Sequence, residues 1–197
     1  DVITVRCQEL GTQVQGVHLR SYIMTTTHAL RDNLPASKQV NFQEDAAYPF
    51  VRTSSILLDA LFAMALHEPK LLSVPQVKEF AFQQGKPVNC KCFQTGEKWT
   101  WAWTRDTAYA IDLSLAWLDP QRSMETLLFK ISNRKSGGSP QLVQDAGSGG
   151  SWPVSSDRVT WAIAAGWLLP LLTPTQRKAF LQKAWPALKN TLEHDRQ

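Results

Sequence analysis

Arg52, Arg105 and Arg158 are evenly spaced, with intervals of 53 residues (105 − 52 and 158 − 105), and each opens an apolar helical pattern: RTSSILLDALFAMAL, RDTAYAIDLSLAW and RVTWAIAAGW. In each copy a long loop precedes the arginine and a second helical stretch follows the first helix. A period near fifty with two helices per unit reads as stacked helical hairpins. The expected fold class is mainly all-α. The loops that precede the first helix of each pair should collect on one face, where a site is expected.

The signals between the repeats fill in the elements. Ile3, Val5 and Cys7 alternate as in a short strand, Val17–Leu34 reads as a helix ending before Pro35, and Pro35–Asn41 reads as a linker. Ser54 or Ser55 caps a helix to about Leu66 that buries Ile56, Leu57, Ala60, Leu61 and Met64 and is ended by Pro69. Ser73-Val74-Pro75 leads into a short helix, Gln76–Gln84, closed by Gly85. Asp119-Pro120 is a cap and first-position pair for a helix to about Ser132, and Asn133–Gly150 is a Gly/Ser-rich loop. Ser155 or Ser156 caps a helix to about Leu169. Thr173-Pro174 opens the last helix, which Pro186 should kink or split. The expected division is a segment or linker over 1–43 and a repeat-bearing domain over 44–197.

The middle repeat carries the chemistry. Trp99, Trp101 and Trp103 alternate, so in an extended chain their indoles project from one side. With a turn at Thr95-Gly96-Glu97 and a partner strand at Val88–Phe93, they form a small β-hairpin inserted among the helices. A helix then starts at about Asp106–Thr107, with Ala108, Ile111, Leu115 and Leu118 at helical spacing. Arg105-Asp106 thus lies where an aromatic ribbon meets a helix N-terminus, an arrangement suited to a ligand with apolar faces and many hydroxyls, a sugar. Eight tryptophans support this, since tryptophan often lines ligand clefts. Asp106, Ser156 and Asp157 also have a purely structural explanation as helix caps. Trp117, Trp161 and Trp167 fall on apolar helix faces and read as core. Trp99, Trp103 and Trp152 sit among polar loop residues and are open to a ligand.

Other classes are disfavoured. The formal charge of +4 is scattered, with no run that would make a nucleic-acid stripe. The longest apolar run, Trp161–Leu172, is interrupted by Gly166 and Pro170 and is too short for a membrane span. Gly147–Gly150 lacks the Lys-Ser/Thr of a phosphate loop. Cys90 and Cys92, two apart on one strand, have a spacing that seldom closes, and no histidine joins the cysteines at metal-ligand spacing. Neither a metal nor a cofactor is expected. The chain opens at Asp1 without an initiator Met or a signal peptide, as a processed form or fragment would.

WTWAWTRDTAYAIDL resembles the aromatic-x-x-x-Trp-Thr-Arg-Asp signature of glucoamylase-type six-hairpin glycosidases. GSWPVSSDRVTWA, Gly150–Ala162, is similar to the next active-face loop of that family, with a Trp–Asp interval one residue shorter. The resemblance covers roughly Tyr48–Arg196 and implies part of an (α/α)6 toroid, its N-terminal half. It implies that Arg105 and Asp106 grip hydroxyls of a terminal sugar, that Trp99 and Trp103 line the same subsite, and that Trp152 lies over the scissile linkage. Asp157 and Arg158 open the helix after that loop and join the substrate-binding set.

By the same resemblance the general acid and base lie beyond Gln197, so the catalytic residues are not assigned within the chain. The expectation is a glycoside hydrolase fragment that hydrolyses O-glycosyl bonds only when complete, with an oligosaccharide or polysaccharide substrate and a second polypeptide as partner. A periplasmic or secreted location is favoured over a cytoplasmic one. The alternatives are a non-catalytic helical-repeat module that binds a carbohydrate or peptide, and a sugar lyase or isomerase on the same toroid.

Overall fold

The computed structural model describes residues 2–30, 37–78, 85–132, 139–142 and 156–196. The chain divides into two compact units, Asp1–Leu71 and Leu72–Gln197.

In the first unit, β1 (Ile3–Val14) and β2 (Val17–Thr26) form an antiparallel hairpin, and β3 (Gln39–Gln43) pairs with the other side of β2. The hairpin turn rests on Gln15 and Gly16, whose φ angles of 51° and 80° supply the left-handed pair that a two-residue loop requires. β2 corrects the expected helix over Val17–Leu34. An irregularity in β1 between Glu9 and Gln13 lies opposite Leu19, so Leu19, Tyr22 and Met24 are all buried. A spacing of three followed by two imitates a helix in the bare sequence. β3 likewise takes Gln39–Asn41 out of the expected linker, and residues 31–36 lie outside the described ones.

α1 (Ile56–Leu71) packs on this sheet, with Ala60 and Ala63 against Tyr22, Met24 and Phe42. Ser55 caps it by accepting from the Leu58 N–H at 3.4 Å. Pro69 does not end it. It lies within the last turn, where it forfeits a single intrahelical bond. The buried stripe is also narrower than expected: Ile56, Leu57 and Leu61 remain largely exposed.

In the second unit, β4 (Ser73–Val77) and β5 (Val88–Phe93) form an antiparallel pair. β4 corrects the start of the expected helix Gln76–Gln84, whose residues 79–84 lie outside the described ones. A continuous helical rod follows: α2 (Thr104–Ala110), a π-helical turn (Ile111–Leu115) and α3 (Ala116–Leu118). Then come α4 (Pro120–Phe129), a short pair β6 (Ile131–Ser132) with β7 (Gln141–Leu142), α5 (Ser156–Leu168), a 3-10 turn (Leu169–Leu171) and α6 (Pro174–Asp195). β7 lies inside the expected Asn133–Gly150 loop, and Pro186 sits within α6 without dividing it.

The expected all-α class is thereby overturned. Strands hold 26% of the chain in three small sheets, which makes it mixed α/β and not a partial (α/α)6 toroid. Among the described residues the hairpin repeat fails first after α1, where the strand β4 follows directly.

The helix starts follow local chemistry. Thr173 and Gln176 form a reciprocal capping box, and Asp119 Oδ1 accepts from the Arg122 N–H at 2.9 Å. Asp119→Ala is expected to lower the stability of the second unit by about 1 kcal/mol, read from its denaturant midpoint, because the freed amide at the start of α4 loses its acceptor.

The core of the second unit lies between α2, α4, α5 and α6, with Ile111, Leu127, Trp161, Leu168 and Phe180 at its centre. Trp161 is buried as expected. Trp117 and Trp167 are not core: they are 70% and 59% exposed. The reason is packing. α2 and α3 turn Ala108 and Ala116 inward and α5 turns Ala164 and Ala165 inward, leaving the bulky residues on the outer faces.

Candidate functional site

Beyond Phe93 the chain enters a loop that folds back on itself. Gly96 and Trp99 exchange two backbone hydrogen bonds of 3.1 Å, which closes a four-residue turn. The Thr95 N–H donates to the Trp101 carbonyl at 2.7 Å, and the Trp103 N–H donates to Thr95 Oγ1 at 2.9 Å. The tryptophan arm therefore runs against Thr95 and Gly96. It does not pair with Val88–Phe93 as expected; the strand paired there is β4.

The alternation still has its physical consequence. The indoles of Trp99, Trp101 and Trp103 gather into one cluster, with ring centroids 5.2 to 6.1 Å apart, the range of favourable aromatic contact. Trp99 is the most open at 41% exposure; Trp101 and Trp103 are half-buried.

α2 starts at Thr104, slightly earlier than expected, and Thr107 Oγ1 donates to the Trp103 carbonyl at 2.7 Å, fixing the junction of loop and helix. Arg105 then reaches the first turn of α5. Its Nη1 donates to Ser156 Oγ at 3.2 Å and lies 3.5 Å from Asp157 Oδ1. Asp157 is buried, whereas the Arg105 side chain keeps 35% of its surface open. An oriented cation with free donor capacity results, held from one side by a carboxylate and a hydroxyl. Asp106, next in line, is exposed on the first turn of α2.

The structure thus joins Trp99 to Trp103 and Arg105 to Asp157. It sends Arg158 elsewhere, to an ion pair with Asp195 in the last turn of α6. Trp152 lies outside the described residues, as does the Gly147–Gly150 run. Two contributors were not foreseen in a functional role. Thr95 organises the arm through both its backbone and its hydroxyl, and Ser156 holds Arg105. Thr95 read as a turn residue and Ser156 as a cap, and a partner fifty residues away leaves no local signal.

Among the described residues no group of three or more His, Cys, Asp or Glu could hold a metal ion, and no helix is long and apolar enough to cross a membrane. Comparison with protein-family models, with curated proteins and with solved structures returns no match to this chain.

Proposed function

We propose that the Thr95–Asp106 segment and the first turn of α5 form the binding subsite for a terminal sugar in a glycoside hydrolase of exo-acting type. The observation that supports this best is that the chain runs from the gathered indoles, within two residues of Trp103, to an arginine held in place by Ser156 and Asp157. A pyranose has apolar C–H faces that match an indole and a rim of hydroxyls that match fixed charges. Trp99 offers the open ring, Arg105 donates to a sugar oxygen, and the exposed carboxylate of Asp106 accepts from sugar hydroxyls. The likeness of Trp-Thr-Arg-Asp to the glucoamylase-type signature points the same way.

Hydrolysis needs two carboxyl groups flanking the bond, about 5–5.5 Å apart for retention and 6.5–9.5 Å for inversion. The part proposed for this chain is binding, and neither carboxyl group is assigned within it. A carbohydrate-binding module without catalysis would use the same residues. The two readings part on one measurement, release of the aglycone from an aryl glycoside by the intact protein.

Titration with maltotriose and cellotriose, followed calorimetrically and by indole emission, tests the subsite. Saturable binding of one of them is expected. Trp99→Ala should weaken it about tenfold through loss of the stacking face. Asp106→Asn should weaken it by a similar factor through loss of a charge-assisted acceptor. Absence of binding to either sugar, or unchanged affinity in both variants, would overturn the reading.

A further inference from the structure

Cys90 and Cys92 are joined in a disulfide, against the expectation for residues two apart on one strand. The reason lies in the register. Val74 pairs with Cys92 and Gln76 with Asn89, so both Cys90 and Lys91 stand opposite Pro75, one extra residue on β5. The bulge draws the two Cα atoms to 5.3 Å, shorter than the roughly 6.6 Å of two residues in a regular strand and within the span a disulfide bridges.

The two sulfurs are unequal. Cys92 is fully buried, while Cys90 is half-buried beside the exposed Lys91. The strand around them is secured by other bonds as well. Arg122 Nη1 donates to the carbonyls of Val74 and Cys92 at 3.2 and 3.3 Å, tying β4 to β5 across the bulge. The Phe93 N–H donates to Thr126 Oγ1 at 3.0 Å, and the Gln94 N–H donates to the Leu72 carbonyl at 2.9 Å. None of these bonds involves the two sulfurs.

We propose that Cys90–Cys92 is a reversible thiol–disulfide exchange site whose co-reactant is a dithiol and whose attacked sulfur is Cys90. A thiolate of the reductant attacks Cys90 Sγ. The Cys90–Cys92 bond breaks, and Cys92 Sγ leaves as a thiolate that takes up a proton. The reductant's second thiolate then attacks its own sulfur in the mixed disulfide, and Cys90 is released and protonated. The protein pair gains two electrons and two protons, and the reductant ends as a disulfide.

The test uses the full chain under native conditions with dithiothreitol, alkylating free thiols before and after. The count should rise from one, Cys7, to three while the native indole emission is retained, and oxidised glutathione should close the pair again. In a Cys7→Ser background, Cys92→Ala leaves Cys90 alone and Cys90→Ser leaves Cys92 alone. Oxidised glutathione should form the mixed disulfide, releasing one reduced glutathione, at least about tenfold faster with Cys90 than with Cys92, following their difference in access. Three free thiols before any reductant, reduction only on unfolding, or equal rates at the two sulfurs would each overturn the proposal.

Discussion

Trp161→Ala is expected to destabilise the second unit by about 3–5 kcal/mol, the cost of emptying a large aromatic site in a packed core. Trp161 is 1% exposed, stacks on Phe180 with centroids 6.0 Å apart, and donates from Nε1 to the Leu127 carbonyl at 2.9 Å. It thereby pins α4 and α6 to α5, the helix whose first turn holds Arg105. All eight tryptophans lie at position 99 or later, so indole emission reads this unit directly. The midpoint of its thermal transition should fall by about 10 °C or more for a unit of this size. Trp161→Phe separates the contributions: it keeps an apolar ring against Phe180 but leaves the Leu127 carbonyl without the indole N–H, at about 1 kcal/mol beyond the lost volume. Equal stability of Trp161→Ala and the parent would mean that this indole does not carry the core.

That core was legible in part. The phase of Ala108, Ile111 and Leu115 was readable because a helix of 3.6 residues per turn writes its buried face into the sequence, and these residues are buried. The starts at Asp119-Pro120 and Thr173-Pro174 were readable because a cap is a contact within three residues. What was lost has a common cause in local irregularity. One misphased stretch of β1 made Leu19, Tyr22 and Met24 look helical, and one extra residue opposite Pro75 closed a disulfide that a regular strand would keep open.

At the candidate site, alternation correctly implied that Trp99, Trp101 and Trp103 share a side. It carried no information on the partner, which proved to be Thr95 and Gly96. The Arg105–Asp157 pair was beyond reach, since both residues are equally well explained as parts of separate helix starts.

Arg52→Met is expected to cost the first unit about 3 kcal/mol or more, because it strands a buried carboxylate. Glu44, with 3% of its side chain exposed, accepts from Arg52 Nη1 and Nη2 at 2.7 Å each, from the Tyr22 hydroxyl at 2.9 Å and from the Arg20 N–H at 2.8 Å. Burial alone would raise its pKa; the donors, with Arg52 first, outweigh burial and hold it below the ordinary glutamate value of 4.5. A carboxyl with a depressed folded pKa contributes stability that is full above the unfolded value and is lost as pH falls through the folded one. The first unit should therefore weaken below about pH 4.5, and with Arg52→Met, which lets burial move the folded pKa of Glu44 back up, this acid weakening should shrink or reverse. On the alkaline side the sign reverses. Tyr22 is pushed up to about 12 by burial and by its bond to Glu44, so its contribution is intact below the ordinary value of 10 and fades as pH climbs toward 12. Amide exchange in β2 and β3, followed against pH, reads both limbs. Glu44→Gln combined with Arg52→Met should recover part of the loss, since no buried charge is then left unpaired. An acid limb that does not move in Arg52→Met would show that Glu44 draws its low pKa from the other donors alone.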